Sequence, residues 1–112
     1  MGSFNVTVYG NRDFMKIKVL DHELDFKFIA SNEISDEGKM GQCNIQEATI
    51  LVKKDMDKNV ISTTFYHELV HFISITNGYT PSEEFVDAMA IGFHSFTKNN
   101  KAFIDKMREG FK

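Results

Sequence analysis

Apolar and polar residues alternate through the first part of the chain, at Phe4-Val6-Val8, Met15-Ile17-Val19 and Leu24-Phe26-Phe28-Ala30. A period of two places each set on one face of a β-strand. Asp21-His22-Glu23 separates the second run from the third and predicts a tight hairpin with His22 in the turn. Residues 31–44 are polar and include Gly38 and Gly41, which predicts a loop. Glu47-Ala48-Thr49-Ile50-Leu51-Val52 then returns to strand character. From residue 60 the period becomes that of a helix, uninterrupted by Pro or Gly until Gly78, a natural helix stop. A second helix follows, with Thr80 as N-cap, Pro81 at its first position and Glu83 at its third. There Glu83 could close a capping box with Thr80. A third helix over about residues 100–108 carries Phe103, Ile104 and Met107 on one face.

Strands followed by helices predict an α+β fold. The expected architecture is a small N-terminal antiparallel or mixed sheet of three or four strands, packed on three C-terminal helices. A length of 112 residues, and a single Pro that starts a helix instead of marking a linker, predict one domain over 1–112.

The first helix is unusual around its circumference. Ile61, Phe65, Leu69, Phe72, Ile73 and Ile75 cover most of it at 100° per residue. A helix apolar nearly all round is a buried one. The remaining stripe holds Thr63, Thr64, His67, His71 and Ser74. Polar groups on a buried helix need partners, because leaving them unpaired costs free energy.

Residues 67–71 spell His67-Glu68-Leu69-Val70-His71. Two imidazoles four residues apart share a helix face and can hold one metal ion, and the glutamate between them can act on a metal-bound water. With four His and eight Glu in the chain, chance would produce this pattern in roughly one such sequence in a hundred. A catalytic zinc site uses three protein ligands. In the second helix Phe85, Val86, Met89, Ala90, Phe93 and Phe96 form the predicted core-facing arc. Glu83 borders that arc, whereas Glu84 points nearly opposite to its centre. Glu83 is therefore the expected third ligand over Glu84. Asp87, one turn further on the same flank, suits a hydrogen bond from a ligand imidazole. His94 lies about 16 Å along the helix from Glu83 at 1.5 Å per residue, too far to join the same ion. It is expected to be a partly exposed helix residue.

Glu83-x-x-x-Asp87 downstream of His67-Glu68-x-x-His71 is similar to the gluzincin pattern of zinc peptidases. Only 11 residues separate His71 from Glu83. This short spacing resembles compact metallopeptidases of phages, mobile elements and bacteria, including the ImmA/IrrE-type proteins that cleave repressors. The resemblance covers roughly residues 45–97. It implies a cofactor, Zn²⁺, held by His67, His71 and Glu83, with Glu68 as general base in peptide hydrolysis. It also implies a protein or peptide substrate, such as a repressor-type regulator, lying as an extra strand along residues 46–52 or the segment around Cys43. Tyr79, in the turn beside the site, is the candidate oxyanion donor; Tyr66 points away from the histidines. The alternative is a catalytically silent metal-binding scaffold that acts as a protein-interaction module.

Charge and composition narrow the setting. A net charge of −3 gives no reason to expect nucleic-acid binding. The basic segment 98–112 is expected to be a solvated helix face. No stretch is apolar enough to span a membrane, and no secretory signal opens the chain. With the lone Cys43, these features predict a reducing, cytoplasmic location. Cys43 itself is expected to be a small buried or edge-strand residue, with a fourth metal ligand as the other possibility.

Overall fold

The computed structural model describes residues 14–30 and 39–111. It shows an α+β fold in which a four-stranded mixed sheet precedes three helices. The strands are β1 (Phe14–Val19), β2 (His22–Ile29), β3 (Gly41–Asn44) and β4 (Thr49–Lys53). The helices are α1 (Lys58–Thr76), α2 (Glu83–Asn99) and α3 (Lys101–Arg108). The predicted strand around Phe4, Val6 and Val8 lies outside the described residues, as does Gly38.

Strand order in the sheet is β1-β2-β4-β3. β1 and β2 form an antiparallel hairpin in which Val19 pairs with His22. Its turn is Leu20-Asp21, with Leu20 at φ 56°. His22 is therefore a strand residue and not the expected turn residue, and its ring meets the edge of Phe72 at 5.3 Å between centroids. β2 pairs parallel with β4, and β3 pairs antiparallel with β4. The expected loop over residues 31–44 thus contains a strand. The sequence hides it because Gly41-Gln42-Cys43-Asn44 has little β propensity of its own. Its ladder to β4 supplies what local preference does not.

Leu24, Phe26 and Phe28 share one face of β2, as their alternation requires. Leu24, Ile50, Val52 and Phe72 form the buried centre, with Phe26, Phe28, Phe65 and Leu69 packed around it. The Phe26 ring stands nearly perpendicular to Phe28 and to Phe65, at 4.9 and 5.4 Å between centroids. The core therefore lies between the sheet and one side of α1.

The opposite side of α1 packs on α2. This explains the apolar circumference of α1, which is two contact faces back to back. The helix is not buried all round, however. Most of its side chains are half-buried, and only Thr64, Val70 and Phe72 are fully so. Asp57 caps its start, two residues before the predicted one, by accepting a hydrogen bond from the Asn59 N–H.

α2 begins later than expected. Ser82 is its N-cap and accepts from the Phe85 N–H at 3.1 Å. Thr80 and Pro81 precede the helix, so Glu83 is its first residue and the Thr80–Glu83 capping box does not form. Within the predicted core-facing arc only Val86 and Ala90 are buried. Phe85, Phe93 and Phe96 remain 52%, 43% and 41% exposed. No described strand makes a broad contact with α2. Its aromatic row therefore has no sheet to cover it: the Phe93 ring lies 6.0 Å from that of Tyr66 on α1, and the row continues from Phe96 through Phe103 to Phe111, with ring centroids 5.9 and 5.4 Å apart. Among the described residues, no helix is long and apolar enough to cross a membrane.

Phe72 is 1% exposed at the junction of sheet and helix. Phe72→Ala is expected to destabilise the fold by about 3–5 kcal/mol, because transfer and cavity terms add. Urea unfolding followed by circular dichroism measures this, and a loss below about 1 kcal/mol would contradict the packing described.

Candidate metal centre

Packing fixes where the polar stripe of α1 can point. Phe65, Leu69 and Phe72 turn toward the sheet, and Tyr66 reaches α2, where its hydroxyl lies 3.3 Å from Thr97 Oγ1. The stripe with His67 and His71 is left facing a cleft of about 890 Å³. One wall of this cleft is Met40 with Gly41 and Cys43 of β3; the other is α2 with Glu83, Asp87 and His94. α1 and α2 run antiparallel, joined by residues 77–82, so the first turns of α2 lie opposite the histidines.

His67 Nε2 lies 3.3 Å from Glu83 Oε1, and His71 Nε2 lies 3.2 Å from Glu83 Oε2. Donor atoms of all three residues fall within 4.8 Å of one another. On the far side of the ring, His67 Nδ1 is 2.9 Å from Asp87 Oδ1. A carboxylate can only accept, so Nδ1 carries the proton toward Asp87. In a neutral ring Nε2 then holds a lone pair, which faces the carboxylate of Glu83. Two acceptors in that arrangement are reconciled by a second proton on the ring or by a metal cation between them. Two imidazoles and a carboxylate gathered this closely are a donor set suited to one metal ion. The His67-His71-Glu83 group can therefore hold a metal ion, and Asp87 fixes the tautomer that leaves Nε2 free to bind it.

Glu68 also lines the cleft. Burial pushes its carboxyl above the usual carboxylate range; His67, His71 and Lys39 pull it back, and the charge of Glu83 pushes it further up. Gly41 brings β3 close beside it. A Cβ at Gly41 would sit 2.6 Å from Thr64 Cγ2 and 3.4 Å from Glu68 Cγ. Only glycine lets the strand approach the helix this closely.

Glu83, not Glu84, reaches the histidines. Tyr79 does not line this cleft. It is 69% exposed and borders a separate groove with Ile73, Pro81 and Phe85. The turn that carries it lies beyond the last turn of α1, so chain proximity to His71 does not bring its ring to the site. Cys43 is an edge-strand residue, half-buried and packed against the core, and lies outside the cluster of possible ligands. Burial, then the charge of Glu68, pushes its thiol up to about 11. His94 is half-buried, as expected, but it also lines the cleft, and its Nδ1 lies 2.8 Å from Ser62 Oγ. A clue was present in its position on the same helical flank as Glu83 and Asp87.

Two measurements check this geometry. Glu83→Ala is expected to abolish stoichiometric binding of a divalent metal ion, and Glu84→Ala to leave it intact, by metal analysis of the dialysed proteins; equal loss in both variants would contradict the ligand set. Cys43 in the metal-free native protein should react with iodoacetamide at pH 8 about a hundredfold more slowly than in urea, since two pH units separate 11 from the ordinary value of 9.0. Equal rates would show an ordinary, open thiol. No protein-family model, curated protein or solved structure matches this chain, so a functional reading stands on the geometry above.

Proposed function

We propose that this protein is a zinc-dependent peptidase. The observation that carries the reading is the meeting of His67 Nε2 and His71 Nε2 on the Glu83 carboxylate, at 3.3 and 3.2 Å, in a cleft that also holds Glu68. Two imidazoles and one carboxylate suit Zn²⁺. When bound, zinc supplies Lewis acidity and lowers the pKa of a coordinated water toward about 7.

The chain's own residues supply the rest. Asp87 holds His67 by its Nδ1–H, so the ring presents Nε2 to the site. Glu68, with its raised proton affinity, takes a proton on its carboxylate from the attacking water. It then delivers that proton to the amine that leaves as the peptide bond breaks. Its half-buried setting keeps the proton away from bulk solvent between the two steps.

An extended substrate has a natural place. β4 is paired on both sides, with β2 and β3, so it cannot accept a further strand. β3 is the edge of the sheet among the described residues. The Lys53 N–H donates to the Met40 carbonyl, which makes Met40–Lys53 a hydrogen-bonded pair and directs the N–H and C=O of Gly41 and Cys43 outward. A peptide paired with that edge would run past Glu68. A protein segment, such as an exposed stretch of a regulator in the same compartment, fits this mode, and we place the protein in the cytoplasm.

Glu68→Gln is expected to keep its fold and one equivalent of zinc while losing about 10²- to 10⁴-fold in turnover of a quenched-fluorescent peptide library. Full activity in that variant would sink the assignment. Zinc-loaded wild-type protein that cleaves nothing would point to a binding scaffold instead.

A further inference from the structure

One end of the cleft has a chemistry that the metal centre does not use. β4 leads into the start of α1 through residues 54–57, and β3 runs antiparallel to β4, with Met40 opposite Lys53. The N-terminal end of β3 therefore lies along the first half of α1, with Gly41 against Thr64 and Glu68. Lys39, Asn59 and Thr63 line the cleft there, and His94 faces them from α2. At the other end of this pair of helices stand Glu83 and Asp87. The cleft thus runs from Glu83 and Asp87 at its metal-binding end, past Glu68 beside Gly41, to Lys39, whose charge reaches Glu68, and to Asn59, Thr63 and His94.

His94 is held in a defined orientation. Its Nδ1 lies 2.8 Å from Ser62 Oγ. Thr63, Thr76 and Thr97 donate their hydroxyl protons to carbonyls one turn back, those of Asn59, Phe72 and Phe93. Ser62 makes no such bond among the described residues, so its proton is available to His94 Nδ1. With Ser62 as donor to Nδ1, a neutral ring carries its own proton on Nε2, and His94 lines the cleft. Lys39 is exposed and lies within 4 Å of no described carboxylate.

We propose that His94 and Lys39 form a subsite for a carboxylate of the bound peptide. The inference rests on the peptidase reading for its substrate and specifies that substrate further. An N–H donor of fixed direction and a mobile ammonium together suit an anionic acceptor and offer nothing to a cation. Ser62 is five residues before His67, about 7.5 Å along α1 at 1.5 Å per residue. Extended peptide advances about 3.3 Å per residue, so the recognised carboxylate sits two or three residues from the scissile bond. It belongs either to an acidic side chain or to the chain's own C-terminus. His94 is here a positioning residue, since it is set apart from the reacting atoms.

Binding to zinc-supplemented Glu68→Gln protein tests this without any need for turnover. The probes are N-acetylated, C-amidated alanine heptapeptides bearing one glutamate at successive positions, a matched glutamine series, and the all-alanine peptide with a free C-terminal carboxylate. Isothermal titration calorimetry is expected to show a preference of about tenfold for glutamate over glutamine at one position, or for the free acid over the amide. The first result assigns the subsite to a side chain and the second to a terminus. Adding His94→Ala should abolish the preference, His94→Gln should restore part of it through its N–H donor, and Lys39→Ala should reduce it, with neutral peptides bound as before. No carboxylate preference in any probe, or a preference unchanged by His94→Ala, would overturn the proposal. A preference that persists alongside an inert wild-type protein would support the subsite and count against the peptidase reading alone.

Discussion

The placement of α1 between the sheet and α2 governs the rest of the molecule. A helix with apolar residues around most of its circumference must cover two sides, and the sheet and the second helix each take one. The narrow polar stripe is left with only one direction, into the gap between β3 and α2. His67 and His71 face that gap because Phe65, Leu69 and Phe72 are committed to the core. The site is in this sense a by-product of packing, and its precision derives from a side chain buried to 1% at Phe72 on the opposite face.

Electrostatics then complete what packing begins. Three carboxylates, Glu68, Glu83 and Asp87, line one cleft with three imidazoles, those of His67, His71 and His94. Glu68 is half-buried while Glu83 and Asp87 are exposed, so their mutual repulsion is partly screened, and with His67 neutral its Nε2 and Glu83 Oε1 are acceptors facing each other at 3.3 Å. A divalent cation relieves both problems together. The elevated proton affinity of Glu68 has burial as its largest cause, and His67, His71 and Lys39 oppose it. Structure and proposed chemistry thus share one origin, since the groups that make the cleft costly without a cation are those that would use one.

The approach of β3 to α1 is the second structural commitment. Gly41 leaves no Cβ to collide with Thr64 or Glu68, so a sheet edge lies directly beside the candidate base. Because β3 is at the edge, its outward backbone groups remain open to a partner among the described residues. The same arrangement places Lys39 in one cleft with Glu68 and His94.

Much of this was legible along the chain. The α+β order, the strand alternation from Leu24 to Phe28, and the pairing of His67 and His71 with Glu83 rather than Glu84 follow from periods of two and 3.6, which are local properties of the backbone. The i,i+4 spacing alone puts two imidazoles together. Other features needed the third dimension. Gly41-Gln42-Cys43-Asn44 becomes a strand only through its ladder to β4. The aromatic row of α2 has the spacing of a core face, yet Phe85, Phe93 and Phe96 stay exposed because the sheet lies on the far side of α1. Tyr79 is near His71 in sequence and outside the cleft in space, whereas His94 is distant in sequence and lines it. Sequence by itself determined which residues share a face. Which face meets which depends on the packing of elements far apart in the chain, and only the tertiary structure decided it.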